Sequence, residues 1–174
     1  MIVAVDVYYS SNSGAVAAAV VFSSFTDCEP HSVYISKIDR ADDYVPGQFY
    51  KRELPCIMSV LQQINEEIDT IIIDGYVDPG NKPGLGRYLW DLLERKIPVI
   101  GVAKSFYMGT EAVKVLRGRS RQPLYITSAG MEIAEAAARI EKMAGKFRIP
   151  SILKLADQIS RTGKYKPDIS VNKR

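Results

Sequence analysis

Hydrophobic and polar positions follow two rhythms along this chain. Residues 2–8 (IVAVDVY) and 32–38 (SVYISKI) alternate loosely, and residues 15–22 (AVAAAVVF) are almost continuously apolar. A two-residue period, or a short apolar run bounded by turn residues, marks a strand. The turn at 10–14 and the polar stretch 27–30 join these runs into an antiparallel meander whose first strand is central, with Asp6 in its middle or near its end. The spacing then changes. Tyr50, Leu54, Ile57, Met58, Leu61, Ile64 and Ile68 recur every three or four positions, which predicts an amphipathic helix over 48–68. Glu53 borders its apolar stripe, and Pro55 implies a start near Glu53 or a kink there.

Residues 70–73 (TIII) read as a buried strand that ends in Asp74 and opens into a loop rich in glycine and proline, running to Gly86. A helix over 87–96 and a strand over 97–102 follow. Strand, helix and strand make a right-handed parallel crossover, which brings Lys104 to the same sheet edge as Asp74. Ligands of open α/β sheets sit beyond the carboxyl ends of the strands, so Asp74 outranks the other acids as a site candidate. Residues 106–121 are irregular and basic, 123–127 form a short strand candidate, and 131–144 and 152–161 read as helices. The expected fold is α/β: a mixed sheet with an antiparallel three-strand meander followed by parallel strands, and helices on both faces. It forms a single domain over 1–161, with a polar C-terminal tail over 162–174.

Composition narrows the chemistry. With 174 residues, 47% apolar and 25% charged, the chain can bury one ordinary core. Its start, MIVAVDVYY, lacks the marks of a signal peptide, and no apolar run approaches the roughly 20 residues that span a bilayer. These features predict a cytoplasmic protein with no membrane partner. Cys28 and Cys56 form no C-x-x-C pair and are expected to be reduced. His31 is the sole histidine and falls in a peripheral strand, so hydrolytic chemistry must lean on carboxylates and metal. The net charge of +3 comes with late basic residues, among them Arg117, Arg119, Arg121, Lys142, Lys146 and Arg148, a bias compatible with a polyanionic partner without requiring one.

Asp6, Glu53 and Asp74 come from three different elements, each at or beside the core. Taken singly, Asp6 could cap a turn or pair with an arginine, Glu53 could be a first-turn acid favoured by the helix dipole, and Lys104 could be a solvated lysine. Three converging carboxylates repel one another and are stable together only around a cation. Oxygen ligands select a hard ion, magnesium first and manganese as an alternative. Such a site serves phosphodiester hydrolysis, and the order of elements is that of the ribonuclease H-like arrangement.

From about residue 3 to residue 160 the chain resembles the endonuclease V family, the deoxyinosine-directed repair nucleases. The motifs are Val5-Asp6-Val7, Tyr44-Val45-Pro46-Gly47, Arg52-Glu53 followed by Pro55, Ile73-Asp74-Gly75, Ile100-Gly101-Val102-Ala103-Lys104 and Pro123-Leu124-Tyr125-Ile126. Arg148-Ile149-Pro150 and Ala156-Asp157 are similar to the family's last helix. The resemblance implies that Asp6, Glu53 and Asp74 hold magnesium and that Lys104 sits by the scissile phosphate. It implies that Tyr44, Val45, Pro46 and Gly47 enter the duplex beside the lesion, while the loop with Gly75, Tyr76, Gly84 and Gly86 receives the flipped base. The partner would be damaged DNA, bound by a monomer. The chain departs from the family at Lys51 (an aromatic there), at Tyr76 (a histidine) and at Gly130, aligned with a second histidine implicated in catalysis. It would be a short, divergent member, starting at the first strand where the family has a leading helical segment. Two alternatives stay open: an inosine-directed ribonuclease, and a nucleic-acid-binding paralogue with weak or no catalysis.

Overall fold

The structure, a computed structural model, describes residues 1–11, 14–41 and 45–167. Its centre is a seven-stranded sheet in the order β3-β2-β1-β4-β5-β7-β6. The strands are β1 (Ile2–Tyr9), β2 (Ala15–Phe22), β3 (Ser32–Ile38), β4 (Thr70–Asp74), β5 (Val99–Ala103), β6 (Val113–Val115) and β7 (Leu124–Ala129). The helices are α1 (Phe49–Leu61), α2 (Leu85–Leu92), α3 (Ile133–Lys142) and α4 (Ser151–Thr162). β1, β2 and β3 form the expected antiparallel meander, and β4 and β5 run parallel to β1. β7 returns antiparallel to β5 and carries β6 on its far side, two strand directions that residue pattern alone does not reveal.

Strand parity sorts the core into two layers. Val3, Val5, Ile71 and Ile73 face α1 and α2, packing with Cys56, Ile57, Val60 and Leu89. Ile2, Ala4, Ile72 and Ile100 face the other way, against Ala136 and Ile140 of α3 and Ile152, Ala156 and Ile159 of α4. β2 is apolar throughout because helices cover both of its faces. Each large aliphatic side chain so buried is worth about 1.5–3 kcal/mol before entropy is counted.

Three helices are shorter than their apolar spacing suggests. α1 begins at Phe49, continues through Pro55 and stops at Leu61. Beyond it, Gln63 and Ile64 donate backbone bonds three residues back, to Val60 and Leu61, and Ile64 and Ile68 reach the same core from non-helical chain. α2 ends at Leu92, which is 53% exposed, because Glu94 and Arg95 take left-handed φ values of 54° and 59°. α3 occupies only the middle of the expected 131–144 span. β6 was hidden in a stretch that reads as irregular; three residues on an edge carry too little pattern to stand out.

The fold brings the predicted acids to one edge. Val5 pairs in register with Ile73, so Asp6 and Asp74, one residue further along, leave parallel strands level and on the same face. Asp74 pairs with Val102, and Lys104 follows β5 directly. Among the described residues no helix is long and apolar enough to cross a membrane.

Gly101 governs how closely the loop after β4 can lie on this edge. A Cβ there would stand 2.6 Å from Gly75 O and from Thr127 Oγ1, and 2.9 Å from Val77 N. Two of those atoms belong to backbone and cannot swing aside. Gly101→Ala should therefore lower stability by about 1–3 kcal/mol, read as a lower midpoint in urea denaturation; an unchanged midpoint would show that the loop is not held at this distance.

Candidate active site

Asp6 lies partly buried at the end of the β1 face that α4 covers, and its carboxylate accepts a hydrogen bond from Ser160 Oγ. Burial pushes its pKa up, the Ser160 bond pulls it down, and the charges of Asp74 and Asp157 push it up further. Asp74, at the exposed tip of β4, is paired with Lys104 at 2.6 Å, each side chain about two-fifths exposed at 42% and 43%. Glu53 arrives from the opposite layer, on α1, and is only 7% exposed. Its pKa is pushed up to about 8, first by loss of water and then by the negative charges of Asp6 and Asp74, with Arg52 opposing. Arg52 itself stacks over the Tyr9 ring, 3.8 Å from its centroid.

The three predicted acids are thus within electrostatic reach of one another, yet each has a different arrangement. Asp6 is turned to Ser160, Asp74 to Lys104, and Glu53 Oε2 is buried without a hydrogen-bond partner. Among the described residues no three His, Cys, Asp or Glu side chains are arranged to hold an ion as they stand. The donor set nevertheless suits a hard divalent cation: all ligand atoms are carboxylate oxygens, and one is buried without the partner such a group requires.

Beside Asp6 and Asp74 opens a cavity of about 930 Å³ on the α4 side of the sheet. Its floor is apolar, with Ile72, Val102, Ile149 and Leu153, and its rim carries Arg119, Lys146, Lys154 and the ring of Phe147. Arg148 ties this rim to the acids' edge: Nη2 donates to Lys104 O and to Pro123 O (2.8 Å), and Nη1 donates to Gln122 Oε1 (3.3 Å). Arg117, which looks like part of a basic surface, is 6% exposed and its guanidinium is used on backbone carbonyls. Asp157, Ser160, Phe147 and Lys146 were not predicted as site residues. Their segments carry motif resemblance, but nothing in their spacing tells that α4 lies against β1.

The remaining predicted positions divide. Val45, Pro46 and Gly47 form an exposed turn that leads into α1, closed by Gln48 N donating to Val45 O at 2.9 Å, whereas Tyr44 lies outside the described residues. Gly75 donates to Val102 O at 3.1 Å, and Tyr76 donates its hydroxyl to Ser105 O at 2.6 Å, so both stand beside β5 near Lys104. Gly84 and Gly86 are buried, and a Cβ on either would fall 2.8 Å from an atom of Val77; they serve the folding of the loop back on itself. Gly130 follows Ala129, which pairs with Val99 at the start of β5, so this position lies at the opposite edge from Asp74. A side chain there would meet Trp90 Nε1 at 2.7 Å and could not approach the acids, because β7 runs antiparallel. His31 stands outside the site, 3.9 Å from Glu66, and neither Cys28 nor Cys56 is in a disulfide.

The sequence and the fold are also similar to known proteins. The family profile described as Endonuclease V matches residues 1–129. Endonuclease V of Pyrococcus abyssi is 32% identical over 169 residues, covering 96% of this chain and 81% of that protein. The crystal structure of endonuclease V from Streptomyces avermitilis is similar with a TM-score of 0.77 at 25% identity, over 93% of this chain and 80% of the other. The Ciona intestinalis endonuclease V structure, solved with a 24-mer DNA containing an inosine followed by a ribo-adenosine, shares the fold. Its TM-score is 0.75 at 22% identity, with 93% of this chain and 84% of that one covered.

The raised pKa of Glu53 predicts how stability depends on pH when a chelator is present. Between its ordinary value of 4.5 and about 8, the unfolded chain releases this proton while the folded chain keeps it. Stability should therefore fall as pH rises through that window. Glu53→Gln should flatten most of the decline, leaving the smaller contribution of Asp6, as followed by urea midpoints from pH 4.5 to 8.5. An equally steep decline in the variant would show that Glu53 is not the group responsible.

Proposed function

The chain belongs to the endonuclease V family, and from that premise we propose that it is a magnesium-dependent endonuclease that cuts a phosphodiester near deoxyinosine or another deaminated base in DNA. The observation that carries this reading is the buried, partnerless oxygen of Glu53 beside two further acids, Asp6 and Asp74, level on adjacent parallel strands. Asp6, Glu53 and Asp74 would hold the cation. When bound, it supplies a lowered pKa for attacking water and neutralises charge on the departing oxygen.

The chain's own groups do the rest. Ser160 holds Asp6 in orientation, and Asp157 beside it is restrained by Arg161 at 3.0 Å. Lys104, 2.6 Å from Asp74, would meet the scissile phosphate at this edge. The exposed turn of Val45, Pro46 and Gly47, with Tyr44 before it, enters the duplex beside the lesion. Gly75 and Tyr76 would receive the extruded base, and the close packing of Gly84 and Gly86 on Val77 supports that loop. A deaminated base pairs poorly, so pulling it from the stack costs less than pulling out a normal base. The DNA-bound Ciona intestinalis protein of the same fold is consistent with this partner.

The test is cleavage of labelled duplexes that carry one inosine in DNA, one inosine in RNA, or none, with magnesium present. Parent protein should cut the inosine DNA, and Asp74→Ala should cut it at least about a hundredfold more slowly, since loss of a ligand exceeds loss of a residue behind one. No cleavage by the parent, or equal cleavage by the variant, would sink the enzyme reading. Preference for the RNA duplex would select the ribonuclease, and tight binding without cutting the paralogue.

A further inference from the structure

Phe147, in the connection between α3 and α4, leaves 61% of its surface in water although it adjoins an apolar cavity. Lys146 Nζ and Lys154 Nζ lie 5.5 Å and 5.9 Å from its ring centroid, and Arg119 lines the same cavity. At these separations, near the outer limit of a cation–π contact, the two ammonium groups stand over the ring and bring positive charge to it, while most of its surface stays open to water. The segment that carries the ring is firmly held. Arg117, buried beneath it, donates to Phe147 O at 3.1 Å, Gly145 O at 3.2 Å and Arg148 O at 3.4 Å, and also to Met143 O. A buried arginine thus anchors an exposed phenylalanine, the reverse of what water alone would favour. That arrangement pre-positions the ring for something that covers it.

We infer that Phe147, Lys146 and Arg119 form a subsite for one unpaired nucleotide of the cut strand, with its base stacked on Phe147 and its phosphate held by the two cations. The inference rests on the nuclease reading above and extends it. A base is flat, tolerant of any aromatic face and joined to a phosphate, which matches an exposed ring whose neighbours are flexible cations that a base can displace and its phosphate can engage. A space of about 930 Å³ holds a nucleotide with room for the linking backbone. The same cavity contains Asp6 and Asp74, so the strand passes from the reacting phosphate to the ring without leaving it. Arg148, which bonds both Lys104 O and Pro123 O, keeps ring and acids at a constant separation. The nucleotide flanking the cut is therefore read outside the duplex, independently of the deaminated base.

The probe is a single-stranded DNA oligonucleotide with one inosine and with 2-aminopurine placed in turn at each neighbouring position. Calcium replaces magnesium, so that the acids are neutralised while binding is read apart from turnover. Parent protein should quench 2-aminopurine at one flanking position. Phe147→Ala should remove that quenching and weaken binding about five- to a hundredfold, while Phe147→Tyr preserves both. Because the ring is exposed, the alanine variant should melt with the parent, and the tyrosine variant separates stacking from any loss of fold. Absence of binding by the parent, or quenching and affinity unchanged in Phe147→Ala, would overturn the subsite. A parent that binds and quenches but never cuts inosine DNA in magnesium would end the nuclease reading and leave the subsite; a parent that cuts while Phe147→Ala behaves identically would do the reverse.

Discussion

A carboxyl group that is 7% exposed, next to two others, is a cost that the rest of this molecule has to accommodate. Removing one carboxylate from water costs several kcal/mol, and like charges nearby add to that cost. The protein answers the charge of Asp6 and Asp74 with Ser160 and Lys104 but leaves Glu53 Oε2 unanswered. The burden is carried by a sheet with helices on both sides, whose apolar layers are stable enough to hold the acids in place. This is the usual relation between a site and its scaffold: strain is local, and its support is distributed.

Geometry then follows from strand direction. Parallel β1 and β4 bring Asp6 and Asp74 level on one face, and α1 supplies Glu53 from the other layer. The absence of a side chain at Gly101 lets the loop after β4 close on β5, which keeps Tyr76 and Lys104 near the acids. On the far side, α4 contributes Ser160 and Asp157 only because Ala156 and Ile159 seat it against β1 and β2. No single element contains the site; β1, β4, α1, α4 and the residue that follows β5 each supply a part of it.

Basic residues show how poorly charge alone reports on function. Arg117 and Arg148 belong to the late basic run, yet both use their guanidinium groups on backbone carbonyls, where five fixed donors are an advantage over a lysine. Around the cavity beside the acids, the cations that face a polyanion are Lys104, Arg119, Lys146 and Lys154. Sequence charge counted these arginines and lysines as equals, and only packing separates those inside from those outside.

Much of this protein is legible in its residues. The meander, α1, the crossover from β4 to β5 and the two C-terminal helices follow from periodicity, because burial on one face imposes a period of two or of 3.6. Asp74 and Lys104 could be assigned to one edge because a strand-helix-strand crossover leaves its strands parallel, whereas Asp6 joins them through the pairing of β1 with β4. Other features were decided by tertiary contacts. The ends of α1 and α2, the return direction of β7, the placement of Gly130 at the wrong edge for chemistry, and the closeness of Asp157, Ser160 and Phe147 to the acids all depend on long-range pairing. Periodicity records which way a side chain faces and is silent on what faces it. The sequence by itself determined the elements and the acids they carry, and the tertiary structure decided the company those acids keep.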